Sequence, residues 1–93
     1  VPLRVAKDAV KVMELALKCA KEANINAISD SMSGFAMARA ALIAAGYNVK
    51  INLNSLTDKS AGEKMLEDWK ELESKADDLE KEIRQTMKER GGI

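Results

Sequence analysis

Apolar residues recur at intervals of three and four in the first and last thirds of the chain, which is the spacing of one stripe along a helix. The first stripe predicts a helix over about residues 2–23 and consists of Leu3, Ala6, Val10, Met13, Leu17 and Ala20. The last stripe predicts a helix over about residues 58–90, with the alternation of a coiled-coil seam, and consists of Met65, Trp69, Leu72, Ala76, Leu79, Ile83 and Met87.

Residues at the ends of these two segments favour the same boundaries. Pro2 suits the first position of a helix, where its missing N–H is no loss. Thr57 or Asp58 is suited to cap the last helix, as is a capping box that starts at Ser60, and Gly91-Gly92 ends it. On the surface of that helix, acid–base pairs four residues apart are expected at Glu71/Lys75, Asp77/Lys81 and Glu80/Arg84.

The middle segment predicts a second kind of helix, over about residues 27–53 and capped by Asn26 or Ser29. Between residues 26 and 56 only Asp30, Arg39 and Lys50 are charged, and most other side chains are apolar or small. A helix that is apolar nearly all round is a buried helix. Its two glycines, Gly34 and Gly46, each cost roughly 1 kcal/mol relative to Ala, so we expect tight packing or space for a ligand beside them.

These lengths predict an all-α, antiparallel bundle of three long helices that its own chain does not complete. At about 1.5 Å per residue the helices span roughly 33, 40 and 48 Å, whereas a compact domain of this size has a radius of gyration of about 12 Å. Two flanking helices cannot surround the middle one. We therefore expect a second copy, or a missing N-terminal half of the same protein, to cover it.

Composition removes several classes of function. The chain has 93 residues, 15 basic and 15 acidic, which disfavours nucleic-acid binding. It has no His, so His-based catalysis is excluded and no metal site is expected. Its one cysteine, Cys19, forms no internal disulfide and is expected to be a buried, inert thiol. No apolar run reaches 18 residues and no signal peptide is present, so we expect a cytoplasmic protein without membrane contact.

One group of short polar side chains gathers where the middle helix begins: Asn24, Asn26, Ser29 and Asp30. N-capping explains one or two of them, and the helix dipole favours an acid in the first turn. The alternative is a polar mouth that opens onto a groove lined by Gly34, Ala41, Ala45, Asn48 and Asn52. The two amides are expected to be buried there, and to bond either to the backbone of another helix or to a flat polar ligand.

Residues 24–30, NINAISD, resemble the N-P-N-A-I-S-D stretch of the cyclodeaminase/methenyltetrahydrofolate cyclohydrolase family. Residues 45–53, AGYNVKINL, are similar to its N-V-x-I-N-L segment, and Val1-Pro2-Leu3 is similar to one of its helix starts. This family comprises the C-terminal domain of formiminotransferase-cyclodeaminase and its stand-alone relatives. The resemblance covers the second half of that domain only, without the family's Gly-rich first helix, and Ile25 stands where the family often has Pro.

The resemblance implies a helical bundle that dimerises and acts on one-carbon units carried by tetrahydrofolate, as cyclohydrolase or cyclodeaminase. By the same resemblance Asp30 contacts the pterin edge or the cationic centre, and Asn26 and Ser29 position it. For Asn48 and Asn52 we favour a structural role over contact with the substrate. The tetrahydrofolate derivative is the substrate carrier, no cofactor is bound covalently, and this chain alone is not expected to be competent. The alternative is a non-catalytic module for helical oligomerisation.

Overall fold

The computed structural model describes residues 1–55 and 57–93, and these residues form three long helices. Helix α1 spans Pro2–Glu22, α2 spans Ile28–Ser55 and α3 spans Lys59–Gly91, and a 3₁₀ turn at Ile25–Ala27 precedes α2. The predicted all-α bundle of three helices is confirmed. Each observed helix boundary lies within two residues of the predicted one, and Pro2 is in the first turn of α1 as expected.

The helices run up, down and up. Arg39 of α2 forms an ion pair with Asp77 of α3, and the indole N–H of Trp69 donates to the carbonyl of Leu42 at 2.8 Å, so α2 and α3 are antiparallel. Helices α1 and α3 are parallel, because the ion pair between Glu14 and Lys75 (2.8 Å) is followed along both helices by the one between Lys21 and Glu82. All three pairs of helices are in contact.

The core lies where the two predicted stripes of α1 and α3 meet one side of α2. The α1 stripe is buried except for its first member, Leu3, which is half-buried. The α3 stripe alternates between buried and half-buried side chains, and Trp69, Ala76, Ile83 and Met87 are buried. From α2 the core receives Phe35, Leu42 and Val49 among its fully buried side chains. Burial of these apolar surfaces against one another stabilises the bundle.

Both ends of helix α3 are capped by residues that are its neighbours in the sequence. Asp58 is its N-cap and accepts hydrogen bonds from the amides of Ser60 (3.1 Å) and Ala61 (3.4 Å) and from the Ser60 hydroxyl (2.6 Å). These bonds, the hydroxyl bond first, lower the pKa of the Asp58 carboxyl. Of the alternatives that the sequence left open, Asp58 is thus the cap. At the other end Gly92 adopts the left-handed conformation (φ 68°), and its N–H donates to Lys88 at 3.0 Å.

The molecule is long and narrow. Its principal extents are 51 × 17 × 16 Å and its radius of gyration is 15.3 Å, above the roughly 12 Å of a compact domain of this length. The shape follows from α3, whose 33 residues span about 50 Å. One prediction about α1 is wrong: Cys19 is exposed, because it lies outside the buried stripe.

Two kinds of structural feature are absent from the described ranges. In residues 1–55 and 57–93, no helix combines the length and the apolar character that crossing a lipid bilayer demands. In the same ranges, no three His, Cys, Asp or Glu side chains come together in a group that could hold a metal ion.

Candidate functional site

Of the four polar residues at the start of α2, one has a structural role and the side chains of the other three have no partner among the described residues. The side-chain oxygen of Asn24 accepts from the amide of Asn26 at 3.0 Å and thereby caps the 3₁₀ turn. Asn26, Ser29 and Asp30 are all exposed, and their side chains form no hydrogen bond or ion pair with any described residue. Neither Asn26 nor Ser29 therefore makes the predicted capping bond through its side chain, and Asn24 caps the 3₁₀ turn that precedes α2. The other three side chains are left to face solvent or a ligand.

Ser29 borders a groove between the start of α2 and the end of α3. The groove has a volume of about 750 Å³ and is lined on the α2 side by Ser29, Met32, Ser33 and Ala36. Its α3 side carries Met87 together with three basic residues, Lys81, Arg84 and Lys88. None of these three cations was among the candidate site residues from the sequence. Their spacing of three and four along one face was the signal in the sequence.

Gly34 lies on the other side of α2, beside α1. Together with Ala41 and Met37 it lines a second, mostly apolar groove of about 520 Å³. On the α1 side this groove is lined by Val5 and Val12. An added Cβ at Gly34 would meet nothing within 4 Å apart from its own helix and chain neighbours. The single groove predicted from the sequence is thus two grooves on opposite sides of α2, with Ser29 on one and Gly34 on the other.

The two amides predicted to lie deep in this helix are not buried. Asn48 and Asn52 are both exposed in this chain, whereas Ala45, which was expected to line the same groove, is buried. Asn48 lies 18 residues beyond Asp30, which is five full turns and about 27 Å along the axis. Within one chain, therefore, Asp30 and Asn48 share one edge of α2 but cannot touch the same small ligand.

Gly46 has a packing role that the sequence left open. An added Cβ at this position would come within 2.8 Å of Cη2 of Trp69 and closer still to Cε2 and Cζ2. The indole cannot simply move away, because it is buried and donates its N–H to Leu42. Of the two explanations predicted for these glycines, tight packing holds for Gly46, and the space beside Gly34 is open.

The side chain of Arg39, one of the three charged residues of the middle segment, points towards α3. It forms an ion pair with Asp77 and approaches the carboxylate of Glu80 at 3.9 Å. Its Nη1 atom is buried and has no hydrogen-bond partner among the described residues. Besides Arg39, α2 carries two charges, Asp30 near its start and Lys50 near its end, and the Lys50 ammonium lies over the rings of Tyr47 and Trp69, 5.1 and 5.3 Å from their centroids.

The profile of the formiminotransferase-cyclodeaminase family, for the C-terminal domain, matches residues 1–71. The chain belongs to this family. The suspected resemblance is thereby confirmed, and the family places the chain in folate-related one-carbon metabolism. Searches of curated proteins and of solved structures found no match.

The part of this family member that matches the profile includes all of α1, all of α2 and the first turns of α3. Asn26, Ser29, Asp30, Gly34, Asn48 and Asn52 therefore all lie inside the matched region. The basic residues beside Ser29, Lys81, Arg84 and Lys88, lie beyond it. The family match thus covers α1, α2 and the first turns of α3, and leaves out the later part of α3.

Proposed function

We propose that this chain forms part of the tetrahydrofolate site of a methenyltetrahydrofolate cyclohydrolase or formiminotetrahydrofolate cyclodeaminase. The observation that carries this proposal is the placement of three side chains. Asn26, Ser29 and Asp30 lie together at the start of α2, exposed and without partners among the described residues. They lie within a chain segment whose family works in folate one-carbon metabolism.

The chemistry of these groups suits the substrate. The methenyl carbon of 5,10-methenyltetrahydrofolate is cationic, and a carboxylate placed beside it stabilises that charge. Asp30 supplies the carboxylate, and it lies in the first turn of α2, where the helix dipole favours an acidic residue. The amide of Asn26 and the hydroxyl of Ser29 both donate and accept hydrogen bonds, as the edge of a pterin ring does.

In the cyclohydrolase reaction, water adds to the methenyl carbon, a C–N bond of the five-membered ring breaks, and 10-formyltetrahydrofolate and a proton leave. In the cyclodeaminase reaction, the exocyclic nitrogen N10 attacks the carbon of the formimino group on N5, one proton is taken up, and ammonia leaves as the five-membered ring of the methenyl cation closes. Both reactions share the cationic methenyl centre, and Asp30 serves both in the same way. A general acid and base beyond this constellation are required, so we propose that residues outside this chain supply them.

Asp30→Asn tests the proposal directly in the assembled protein that contains this chain. We expect hydrolysis of methenyltetrahydrofolate, followed by its near-ultraviolet absorbance, to slow by about 10²-fold or more, the usual cost of removing one electrostatic partner of the transition state. The matched control is Asp78→Asn, which neutralises an exposed carboxylate on α3. Equal turnover by the Asp30→Asn and Asp78→Asn proteins would remove Asp30 from the site.

A second candidate is a helical module that only holds an assembly together. The exposed apolar side chains along the outer face of α2 favour it, since such a strip on a small protein marks an interaction surface. The two candidates differ in one measurement. A purely structural module leaves methenyltetrahydrofolate to decay at its uncatalysed rate, even in the complete assembly.

A further inference from the structure

The start of α2 is fixed in the bundle through one buried side chain. Among residues 23–30 only Ile28 is buried, with 2% of its surface exposed. The three unpartnered polar residues, Asn26, Ser29 and Asp30, all lie within two positions of it in the chain. Whatever fixes Ile28 therefore also sets the direction in which these three side chains point.

The last turns of α3 reach this region because α3 extends past α1. The ion pairs Glu14–Lys75 and Lys21–Glu82 join residues with the same offset along these two parallel helices. By this offset the end of α1 lies level with Ile83, and two further turns of α3 continue beyond it. These turns lie beside the α1–α2 connection and the start of the antiparallel helix α2.

Arg90 joins this part of α3 to the end of α1. Its Nη1 atom donates a hydrogen bond to the carbonyl of Ala20 at 2.6 Å. Ala20 lies in the last turn of α1, where carbonyls find no amide of their own helix, and an arginine is a suitable donor to such a carbonyl. The directions also agree, because the side chains of a helix lean towards its N-terminus and α1 ends before α3.

Gly91, the next residue, lies against Ile28. A Cβ added at Gly91 would lie 2.7 Å from Cδ1 of Ile28, which is closer than carbon atoms pack in a protein. Ile28 is buried, so its neighbours restrict any movement of its side chain. The last turn of α3 thus contacts the end of α1 through Arg90 and the start of α2 through Gly91.

We infer that the last turn of α3 is a positioning element for the candidate site. Arg90 and Gly91 hold the two ends of the α1–α2 connection and thereby set the direction of the three unpartnered polar side chains. Arg90 is a positioning residue, because its guanidinium bonds to the backbone of α1. Both residues lie beyond the region that matches the family profile. The effect on folate chemistry rests on the function proposed above, whereas the hold on the start of α2 does not.

Hydrogen exchange tests this hold without any folate chemistry. Arg90→Met keeps a long apolar side chain and removes the donors. We expect the amides of residues 26–33 to exchange at least about tenfold faster, because this segment opens locally, while amides in the middle of the bundle change by less than about twofold. Arg90→Lys restores a donor and should recover most of the protection. The matched control is Lys75→Met, which removes another contact between an α3 cation and α1 and should leave exchange at residues 26–33 unchanged.

A compensating pair of substitutions tests the contact at Gly91. Gly91→Ala is expected to speed exchange at the same amides, because the new methyl group displaces Cδ1 of Ile28. Ile28→Val removes that Cδ1 atom. Gly91→Ala should therefore speed exchange by a smaller factor in the Ile28→Val background than in the wild type. Equal factors in the two backgrounds would contradict the contact.

Turnover in the assembled protein tests the positioning of the site. Arg90→Met should slow the hydrolysis of methenyltetrahydrofolate by at least about fivefold, because it misplaces groups that must meet the substrate, and Arg90→Lys should recover most of the rate. In an Asp30→Asn background the same substitution should slow turnover by a smaller factor, because the carboxylate that it misplaces is already absent. Lys75→Met should turn over like the wild type.

Three results would overturn the inference. The first is unchanged exchange at residues 26–33 in Arg90→Met, and the second is exchange that speeds equally in all three helices, which is the sign of a loss of overall stability. The third is locally faster exchange in an Arg90→Met protein that still turns over like Lys75→Met. If the wild-type assembly does not turn over methenyltetrahydrofolate, the proposed function falls, and hydrogen exchange alone decides whether α3 holds the start of α2.

Discussion

Gly46 lies where the indole of Trp69 passes closest to α2, and it shows how one residue can decide the fit of two helices. The glycine is needed for space rather than for an unusual backbone angle, since its position is an ordinary helical one. Because Gly46 has no Cβ, the indole of Trp69 can lie against α2 and donate its N–H to the carbonyl of Leu42. The sequence indicated that something offsets the cost of this glycine, and the indole is that compensation.

Gly46→Ala is therefore expected to destabilise the bundle by about 1–3 kcal/mol, the usual cost of overpacking a core. Gly34→Ala is the matched control, because a Cβ there meets open space and Ala is the better helix former by up to about 1 kcal/mol. Thermal unfolding followed by circular dichroism measures both. A Gly46→Ala protein as stable as Gly34→Ala would mean that the indole does not pack against α2 in this way.

Asp58 makes the stability of α3 depend on pH. Its pKa is lowered in the folded chain, from an ordinary value of 3.8, by the hydrogen bonds that it accepts. The stabilisation is therefore fully present above pH 3.8 and disappears as the pH falls through the lower pKa of the folded state. We expect Asp58→Ala to lower the melting temperature at pH 7 and to match the wild type at pH values below the folded pKa. A gap of constant size at every pH would contradict this.

At the scale of the helices, α2 is the element whose environment differs most between its two sides. One side packs Phe35, Leu42 and Val49 against α1 and α3. The opposite side is made of alanines and large apolar residues that remain exposed. The sequence predicted a helix surrounded on all sides, and this chain covers one side of it, so the covering of the other remains a prediction.

The contact between α2 and α3 depends on Trp69, and a double-mutant cycle measures this. Trp69→Phe keeps an aromatic ring in the core and removes the hydrogen bond to Leu42, so we expect a loss of about 1 kcal/mol. In this background Gly46→Ala should cost less than it does alone, because the smaller ring leaves room for the Cβ. Strictly additive effects in chemical denaturation would show that the two residues are not in contact.

At the scale of the whole molecule, the family match and the folded unit have different limits. The match ends at residue 71, whereas the core includes Ala76, Ile83 and Met87 from the later part of α3. Those side chains pack against α1 and α2 and close the bundle along its full length. The candidate site residues in the matched region therefore depend for their support on residues that the family profile does not include.

Truncation after Glu71 is expected to abolish cooperative unfolding, because it exposes the apolar sides of α1 and α2 that the later turns of α3 cover. Removal of Ile93 alone, an exposed residue at the end of the chain, should change the stability by less than about 0.5 kcal/mol. Circular dichroism during heating distinguishes the two. A truncated chain that melts like the full chain would show that α1 and α2 are stable without the later turns of α3.

The sequence by itself determined the three helices, the buried stripes of α1 and α3, and the family, and it named Asp58 among the candidate caps of α3. These are local properties, since a period of 3.6 residues and a capping side chain are both set by near neighbours along the chain. The predicted pair Glu80/Arg84 is local in the same sense and is present, at 3.1 Å.

Only the tertiary structure decided which groups meet across helices. Lys75 pairs with Glu14 of α1 rather than with Glu71, and Asp77 pairs with Arg39 of α2 rather than with Lys81. It also placed Ser29 and Gly34 on different grooves and left Asn48 and Asn52 exposed. Helical periodicity states which residues share a face, but the rotation of each helix against its neighbours is set by packing between side chains far apart in the chain.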